Sequence, residues 1–411
     1  MHEQLMILGI ALVILGYGYF SKLLSRFNIS GPMIFTAVGI LLSPLVLGGK
    51  PIQPNTEAVQ IIAEIALILV LFSDAAMLNF EHLKKQWRLP TRLLFVAMPV
   101  TILLSTWTAK FFFPTEPIIF LLLLALILAP TDAALGKAVV SDQRIPERVR
   151  NTINVESGLN DGIVFPVLLT VLAIIGSNGS GSEGDGWLGY IAQQISIGAV
   201  AGALVGWGGA KLAHFAMLRE WMEHQYRNLI PIALAIFSFY VAEHFGGNGY
   251  IAAFFGGLFL GHSNDELKSN VENFAESEGE LLIMVSFLVF GLVFIPASIH
   301  YWDINIWIYA LLSLTLLRMI PVAIGFGRFK LDLPTRLFIG WFGPRGIASI
   351  LYILVAVHQL GGIKEHITIF ATASLTILLS IILHGISAQP LAILYSRTHP
   401  ADPSEEEQEK E

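Results

Sequence analysis

The chain has 411 residues, of which 55% are hydrophobic and 13% are charged, and its mean hydropathy is +0.68. Soluble domains carry about 25% charged residues, so this composition excludes an ordinary soluble enzyme, whose surface faces water. The formal net charge of -7 excludes the basic balance of a nucleic-acid-binding protein, and the high hydrophobicity excludes a disordered chain. The absence of cysteine excludes disulfides and thiolate metal sites. The composition therefore predicts a polytopic membrane protein.

A helix needs about 20 mostly apolar residues to cross the bilayer core, and shorter segments are tolerated where a helix is broken or buried. On this criterion the sequence predicts an all-α protein with thirteen transmembrane helices, at 5–21, 32–48, 58–80, 93–113, 117–138, 152–175, 188–212, 228–245, 249–262, 280–296, 305–326, 336–357 and 366–395. The first segment lacks basic residues before it and a cleavage site after it, so it is predicted to be a helix rather than a signal peptide. Residues 1–400 are predicted to form a single transmembrane domain, and residues 401–411 a short, disordered, acidic cytoplasmic tail.

The basic residues give a test of this segment count. When the loops are taken alternately, one side of the membrane holds 19 of the 24 Lys and Arg residues, and the other holds Lys50, Lys110 and Lys364. The remaining two, Arg318 and Arg345, fall inside segments. Because basic loops stay in the cytoplasm, the N-terminus is predicted to lie outside and the C-terminus inside a plasma membrane.

Charged residues inside these segments cost about 2.5 kcal/mol or more each on insertion scales, and they normally mark function. The foremost ones are Asp74, Asp132, Glu156, Asp161, Arg318 and Arg345. In a helix that begins near residue 152 at the cytoplasmic side, Asp161 lies about 14 Å deep, near the midplane. Residues four apart share one face of a helix, so Ser157 lies beside Asp161 and Glu156 beside Asn160. The sixth segment therefore presents a stripe that bears carboxylates.

Two prolines predict breaks in the fifth and twelfth segments. Pro130 denies the fifth helix a backbone hydrogen bond, and Pro344, within Gly343-Pro344-Arg345-Gly346, disturbs the twelfth more strongly. Free carbonyls at membrane depth are tolerated only where they are buried in protein or line a cavity. Broken helices in both halves of a chain, each beside intramembrane charges, indicate inverted repeats whose two broken helices cross at an ion site.

The side chains near these breaks indicate the chemistry of the ligand. The candidate donors are Asp161, Asp74, Thr131 and Ser157. All four offer hard oxygen atoms, which suit a small hard cation such as Na+. A carboxylate near the midplane binds either a cation or a proton, and this mutually exclusive occupancy is already an exchange mechanism. The expected ligands are a monovalent cation and a proton as transported substrates, with no cofactor.

The sixth segment contains VESGLNDG from Val155 to Gly162, with Thr131 and Asp132 before it and GPRG after it. This pattern resembles the cation/proton antiporters of the NhaP and eukaryotic sodium/proton exchanger type, over essentially the whole chain. The resemblance implies that Asp161 carries cation and proton alternately. It also implies alternating access by a core ion-transport bundle against a dimerisation bundle, in a homodimer within membrane lipid. The supporting residues that it implies are Asn160, which orients the site, and the accessory ligands Thr131, Ser157 and Asp74.

The resemblance also implies roles for the other intramembrane charges. It implies an ion pair between Glu156 and Arg318 of the eleventh segment, while a pair between Glu156 and Arg345 stays open as an alternative. Asp132 and Arg345 are implied to neutralise the ends of the half-helices at the crossing. The sequence departs from the family pattern at Ala133, where proline is usual, so one proline fewer supports the break in the fifth segment.

Exchange of one cation for one proton is expected from the same residues. Electrogenic relatives have a second aspartate in place of Asn160 and a lysine in place of Arg318, whereas asparagine does not ionise and arginine keeps its proton. The predicted activity is electroneutral exchange of Na+ or Li+ for H+, with K+/H+ exchange as the alternative. Two remoter classes stay open, a passive cation channel and an intramembrane aspartyl protease that uses Asp74 and Asp161. The absence of repeated filter sequences disfavours the channel, and GLND at 158–161, in place of a Gly-x-Gly-Asp motif, disfavours the protease.

Overall fold

The structure is a computed structural model that describes residues 2–48, 57–78, 87–177, 187–223, 226–263, 267–269, 271, 279–327, 329, 331–362 and 366–400. These residues form α-helices with a few short π and 3-10 turns, and no strand occurs among them. The prediction of an all-α protein is confirmed to that extent. The predicted tail at 401–411 lies outside the described residues, and the single domain over 1–400 stays a prediction.

The helices are labelled here in chain order. They are α1 (His2–Arg26), α2 (Gly31–Leu42), α3 (Pro44–Leu47), α4 (Glu57–Ala76), α5 (Arg88–Phe112), α6 (Ile118–Ile127), α7 (Ala133–Val140), α8 (Glu147–Ser177), α9 (Trp187–Leu218), α10 (Leu229–His244), α11 (Gly249–Ser263), α12 (Glu280–Tyr301), α13 (Ile304–Leu314), α14 (Leu316–Gly325), α15 (Leu333–Trp341), α16 (Ile347–Gln359) and α17 (Ile367–Thr398). Every predicted apolar segment overlaps at least one of these helices.

Several of these helices suit a lipid environment. In the described part of the chain, 6 stretches are long and apolar enough to cross a membrane: Arg88–Phe112, Glu147–Gly176, Ala192–Leu218, Glu280–Tyr301, Ile304–Gly325 and Ile367–Thr398. The shorter apolar helices include α6, α10 and α16. The fold therefore has the apolar helices of a multi-pass membrane protein, while the number of thirteen spans stays a prediction.

Two non-helical links lie where proline is predicted to break a helix. The first link, residues 128–132, separates α6 from α7, and the second link, residues 342–346, separates α15 from α16. Proline has no N–H to donate and disfavours the α conformation in the residue before it. Pro130 and Pro344 therefore account for the two positions.

A third interruption, at Thr315 between α13 and α14, is not predicted by the sequence analysis. The backbone of Thr315 has φ -114° and ψ -97°. Its hydroxyl donates to the Leu311 carbonyl at 2.6 Å, one turn earlier. Hydrogen bonds of this kind compete with the helix ladder, which accounts for the interruption.

The chain divides into two compact units. The first unit comprises Met1–Val59, Arg88–Ser157 and Met284–Glu411, and the second comprises Gln60–Trp87 and Gly158–Ile283. In the first unit, one buried apolar cluster includes Leu93, Val139, Ile145, Phe338 and Tyr395. In the second unit, another includes Ile68, Phe72, Ala210, Phe239 and Leu260. Each unit therefore has an apolar core of its own.

Close backbone contacts hold the helices of the second unit together. Gly206 of α9 lies against the backbone of Gly256 in α11, and Gly257 of α11 lies against the carbonyl of Phe72 in α4. A Cβ at Gly206 or Gly257 would collide with these backbone atoms, so both positions need glycine. The close approach fixes α11 against both α4 and α9.

Candidate functional site

Helix α8 carries four of the predicted site residues. Glu156, Ser157, Asn160 and Asp161 lie along it, and each is at most 6% exposed. The helix begins at Glu147, whose negative charge suits the positive N-terminal end of a helix. The stripe predicted from the four-residue spacing is therefore helical, continuous and buried.

Within the first unit, Ser157 holds the first link. Its hydroxyl donates a hydrogen bond to the Thr131 carbonyl at 2.7 Å. That carbonyl lies outside any helix, so the donor that satisfies it comes from a neighbouring side chain. Two of the predicted accessory ligands are thus in direct contact.

The two links of the first unit face each other and are joined by hydrogen bonds. The Asp132 N–H donates to the Pro344 carbonyl at 2.9 Å, and the Ile347 N–H donates to the Asp132 carboxylate at 2.7 Å. The Ser349 hydroxyl donates to the Ile127 carbonyl at 2.7 Å. The carboxylate of Asp132 therefore lies at the N-terminus of α16, the end of a helix that favours negative charge.

Glu156 pairs with Arg318 in the first unit. Nη2 of Arg318 lies 2.8 Å and 2.9 Å from the two carboxylate oxygens of Glu156, and both side chains are buried. Arg345 is completely buried, donates from Nη1 to the Gly343 carbonyl at 3.0 Å, and lies within electrostatic reach of Glu156 and Arg318. Of the two pairings that the sequence leaves open, the structure contains the one with Arg318.

In the second unit, Asp161 lines a small pocket. The other described lining residues are Leu71, Gly162, Phe165, Pro166, Tyr250, Ile251, Phe254 and Phe255, so Asp161 is the one acidic residue among the described residues of the lining. The ring of Phe254 fills the space beside Gly162, and a Cβ at Gly162 would collide with it. The apolar lining lowers the local dielectric, which strengthens the attraction between this carboxylate and a cation or proton that reaches it.

Asp74, also in the second unit, lies near the C-terminal end of α4 and is half-buried. Its main-chain oxygen is 4.0 Å from the point that a Cβ on Gly158 would occupy. Gly158 precedes Asp161 by less than one helical turn. The structure therefore brings Asp74 alongside the part of α8 that carries Asp161.

The sequence analysis does not identify three residues that contact the links, Ser349, Ser380 and His384. Ser349 bonds Ile127, the residue before the first link, Ser380 bonds Arg345 in the second link, and His384 bonds Trp341, the residue before the second link. The available signal is the spacing of Ser380 and His384, which lie four residues apart in an apolar segment and so share one helix face. Among the described residues, no group of three or more His, Cys, Asp or Glu side chains is placed to hold a metal ion.

The fold and the buried charges define a class: an α-helical membrane protein with charged side chains buried beside interrupted helices. A family model described as sodium/hydrogen exchanger, transmembrane, matches residues 9–394. The chain belongs to this sodium/hydrogen exchanger family.

Individual relatives agree with this membership. The K(+)/H(+) antiporter NhaP of Alkalimonas amylolytica is 25% identical over 372 residues, which cover 88% of this chain and 61% of that protein. A probable Na(+)/H(+) antiporter, C3A11.09, of Schizosaccharomyces pombe is 26% identical over 339 residues, which cover 78% of this chain and 44% of the relative. The chain therefore spans only about half of the length of these relatives.

A solved structure shares the fold. The sodium proton antiporter MjNhaP1 of Methanocaldococcus jannaschii superposes with a TM-score of 0.77 at 21% sequence identity, covering 96% of this chain and 100% of that one. The arrangement of helices is therefore that of a known antiporter fold.

Proposed function

We propose that the protein is a secondary transporter that exchanges Na+ or Li+ for H+ across a membrane, with cation and proton competing for Asp161. The observation that carries the proposal is the position of this carboxylate, buried in α8 and lining a pocket whose other described residues carry no acidic group. A carboxylate in such surroundings gains strongly from binding either a cation or a proton, and it cannot bind both at once. Membership of the sodium/hydrogen exchanger family supports the same activity.

The proposed mechanism is alternating access. A bundle that holds Asp161 and the two interrupted helices moves against a dimerisation bundle, so that the carboxylate opens to one side of the membrane and then to the other. We propose thirteen spans built as inverted repeats, an outer N-terminus and a cytoplasmic C-terminus in the plasma membrane, and a homodimer. The two links, joined to each other through Asp132, support the crossing of two broken helices.

The other polar residues have distinct roles in this proposal. Thr131, Ser157 and Asp74 add oxygen ligands for the cation, and Asn160 orients the site. Ser157 supports this role because its hydroxyl already holds the Thr131 carbonyl and keeps its oxygen lone pairs for a cation. Glu156 with Arg318, and Asp132 with Arg345, balance buried charge and the ends of the helices.

The stoichiometry follows from which of these groups can release a proton. Asn160 does not ionise, and the guanidinium of Arg318 stays protonated. Glu156 is held in an ion pair. One proton carrier, Asp161, therefore serves each cycle, and the exchange is electroneutral with one cation for one proton.

The test is proton flux in proteoliposomes, driven by gradients of Na+, Li+ and K+ in turn. The wild type is expected to acidify or alkalinise the lumen with Na+ and Li+, and Asp161→Asn is expected to abolish this flux. Asp142→Asn is the matched control, because it removes a carboxylate that lies in a loop and forms an ion pair with Arg144. Retained flux in Asp161→Asn would refute the central claim.

The same vesicles distinguish the alternatives. Some relatives are named K(+)/H(+) antiporters, so larger flux with K+ than with Na+ would identify the alternative cation. A current driven by the Na+ gradient would refute electroneutral exchange. Cation flux without counter-movement of protons would indicate a channel, and peptide cleavage lost in Asp161→Asn would indicate the protease.

A further inference from the structure

His384 is a buried histidine whose two ring nitrogens both contact groups next to the second link. It lies in α17 and is 1% exposed. Its Nε2 is 2.9 Å from the Trp341 carbonyl, and its Nδ1 is 3.2 Å from the Ser380 hydroxyl and 3.0 Å from the Ser380 carbonyl. The indole ring of Trp341 stacks on the imidazole, with 4.8 Å between the ring centroids.

The groups that His384 and Ser380 contact lie at the two ends of the second link. Trp341 is the last residue of α15, and Arg345 is the fourth residue of the link. The Arg345 N–H donates to the Ser380 hydroxyl at 2.6 Å. One turn of α17 therefore fixes the carbonyl just before the link and an amide near its end.

Both ring nitrogens of His384 lie within hydrogen-bond distance of backbone carbonyls. A carbonyl only accepts, so Nε2 carries the hydrogen that is donated to Trp341. Nδ1 lies against the Ser380 carbonyl and the Ser380 hydroxyl, and that hydroxyl accepts the Arg345 N–H. The charged groups that act on the ring are Arg345 and Arg318.

The second link in turn packs against Arg318. A Cβ at Gly343 would collide with Nε and Cζ of the Arg318 guanidinium, so the bare backbone of the link forms one wall of the space that holds this side chain. Arg345 also donates from Nη1 to the Gly343 carbonyl. A shift of the link therefore moves the surface against which Arg318 holds Glu156.

We propose that His384 and Ser380 are positioning residues that fix the second link at both ends and thereby hold Arg318 against Glu156. His384 acts through the position of its ring and does not exchange protons during transport. The inference rests on the proposed function in one respect, since the consequence of losing the pair is read out as exchange activity.

The test compares substitutions that keep different parts of the imidazole. His384→Gln keeps a donor near the position of Nε2, His384→Asn keeps an acceptor near that of Nδ1, and His384→Ala keeps neither. Thr376→Val is the matched control, because Thr376 is a buried hydroxyl one turn earlier in α17 that bonds only within its own helix, to the Thr372 carbonyl.

His384→Ala and Ser380→Ala are each expected to lower the maximal exchange rate per folded molecule about tenfold, as the loss of one to two buried hydrogen bonds predicts. His384→Gln is expected to recover most of that rate. The half-saturating cation concentration is expected to change less than about threefold, because neither residue lines the pocket of Asp161. Thr376→Val is expected to match the wild type.

Three results would overturn the proposal: rates in His384→Ala that equal the wild type, losses in Thr376→Val that equal those in His384→Ala, or a displaced pH profile in His384→Gln. The last result would mean that the ring titrates during transport.

A second measurement does not depend on transport. The losses in thermal unfolding midpoint of Ser380→Ala and His384→Ala are expected to be non-additive in the double variant, because both residues belong to one hydrogen-bonded chain. The losses of His384→Ala and Thr376→Val are expected to add. Additive losses for Ser380 and His384 would overturn the proposal. If the wild type shows no exchange but the losses of Ser380→Ala and His384→Ala are non-additive, the proposed function fails and the proposed role of the two residues at the second link stands.

Discussion

Removing Glu156 is expected to destabilise the protein more than removing Arg318, although the two side chains form one ion pair. Glu156→Gln leaves two buried guanidinium groups, Arg318 and Arg345, and removes the negative charge that acts on both. Arg318→Gln leaves Glu156 with Arg345 still in electrostatic reach. Because a second buried arginine is present, the loss of stability differs between the two substitutions.

The size of the effect follows from burial. Removing one partner of a buried pair costs about 3–5 kcal/mol, because an uncompensated charge stays in a low dielectric. Both side chains of this pair are only 4% exposed, so solvent does not screen the loss. The residual attraction to Arg345 places Arg318→Gln near the lower end, at about 3 kcal/mol, and repulsion between two cations places Glu156→Gln near the upper end, at about 5 kcal/mol.

The assay is the thermal unfolding midpoint of the purified variants in one detergent, with the double variant as the third member of the set. The double variant is expected to lose less than the sum of the single losses, since it leaves one buried charge rather than two. Glu147→Gln is the matched control at the half-buried start of the same helix, where the carboxylate accepts a hydrogen bond from Asn151. A larger loss for Arg318→Gln than for Glu156→Gln would refute the reasoning.

Two further outcomes concern the pocket and a loop. Gly162→Ala is expected to lower exchange about tenfold, because the added methyl group meets the Phe254 ring and overpacking costs about 1–3 kcal/mol. Gly136→Ala is the control, because a Cβ at Gly136 meets nothing within 4 Å. Equal losses of exchange in the two variants would contradict this prediction. The side-chain hydrogen bond from Arg144 holds the pKa of Asp142 below its usual value of 3.8. Such a group stabilises the fold above that pH and loses its contribution as the pH falls through the lowered pKa, so Asp142→Asn is expected to cost about 0.2–1 kcal/mol at about pH 7 and less at about pH 2. Equal differences in unfolding midpoint at the two pH values would refute this assignment.

The sequence predicts the helices and both links for reasons that are local. A run of apolar residues long enough to span a bilayer is helical because every backbone group must be satisfied within the segment. Pro130 and Pro344 break helices through their own geometry, without reference to any neighbour. The shared helix face of Glu156 and Asn160, and that of Ser157 and Asp161, also follows from spacing alone.

The sequence does not identify the hydrogen-bond partner of each backbone group at a helix interruption. Thr315 ends α13 although no proline stands there, because its hydroxyl takes the carbonyl one turn earlier. Ser349 and His384 bond carbonyls that lie 222 and 43 residues away along the chain. The choice of Arg318 over Arg345 for Glu156 likewise depends on tertiary packing, since both arginines lie in apolar segments of similar character.

The groups that hold the two links differ in kind from the group proposed to exchange protons. The Ser157, Ser349 and Ser380 hydroxyls bond link or adjoining backbone and do not ionise in the range where a carboxylate titrates. Asp132 is the charged exception, and its charge lies at the N-terminus of α16, where the helix stabilises the ionised form. In the proposed cycle these hydroxyl contacts keep their protonation while Asp161 gains and loses a proton, so the backbone that they hold at the links is expected to stay fixed.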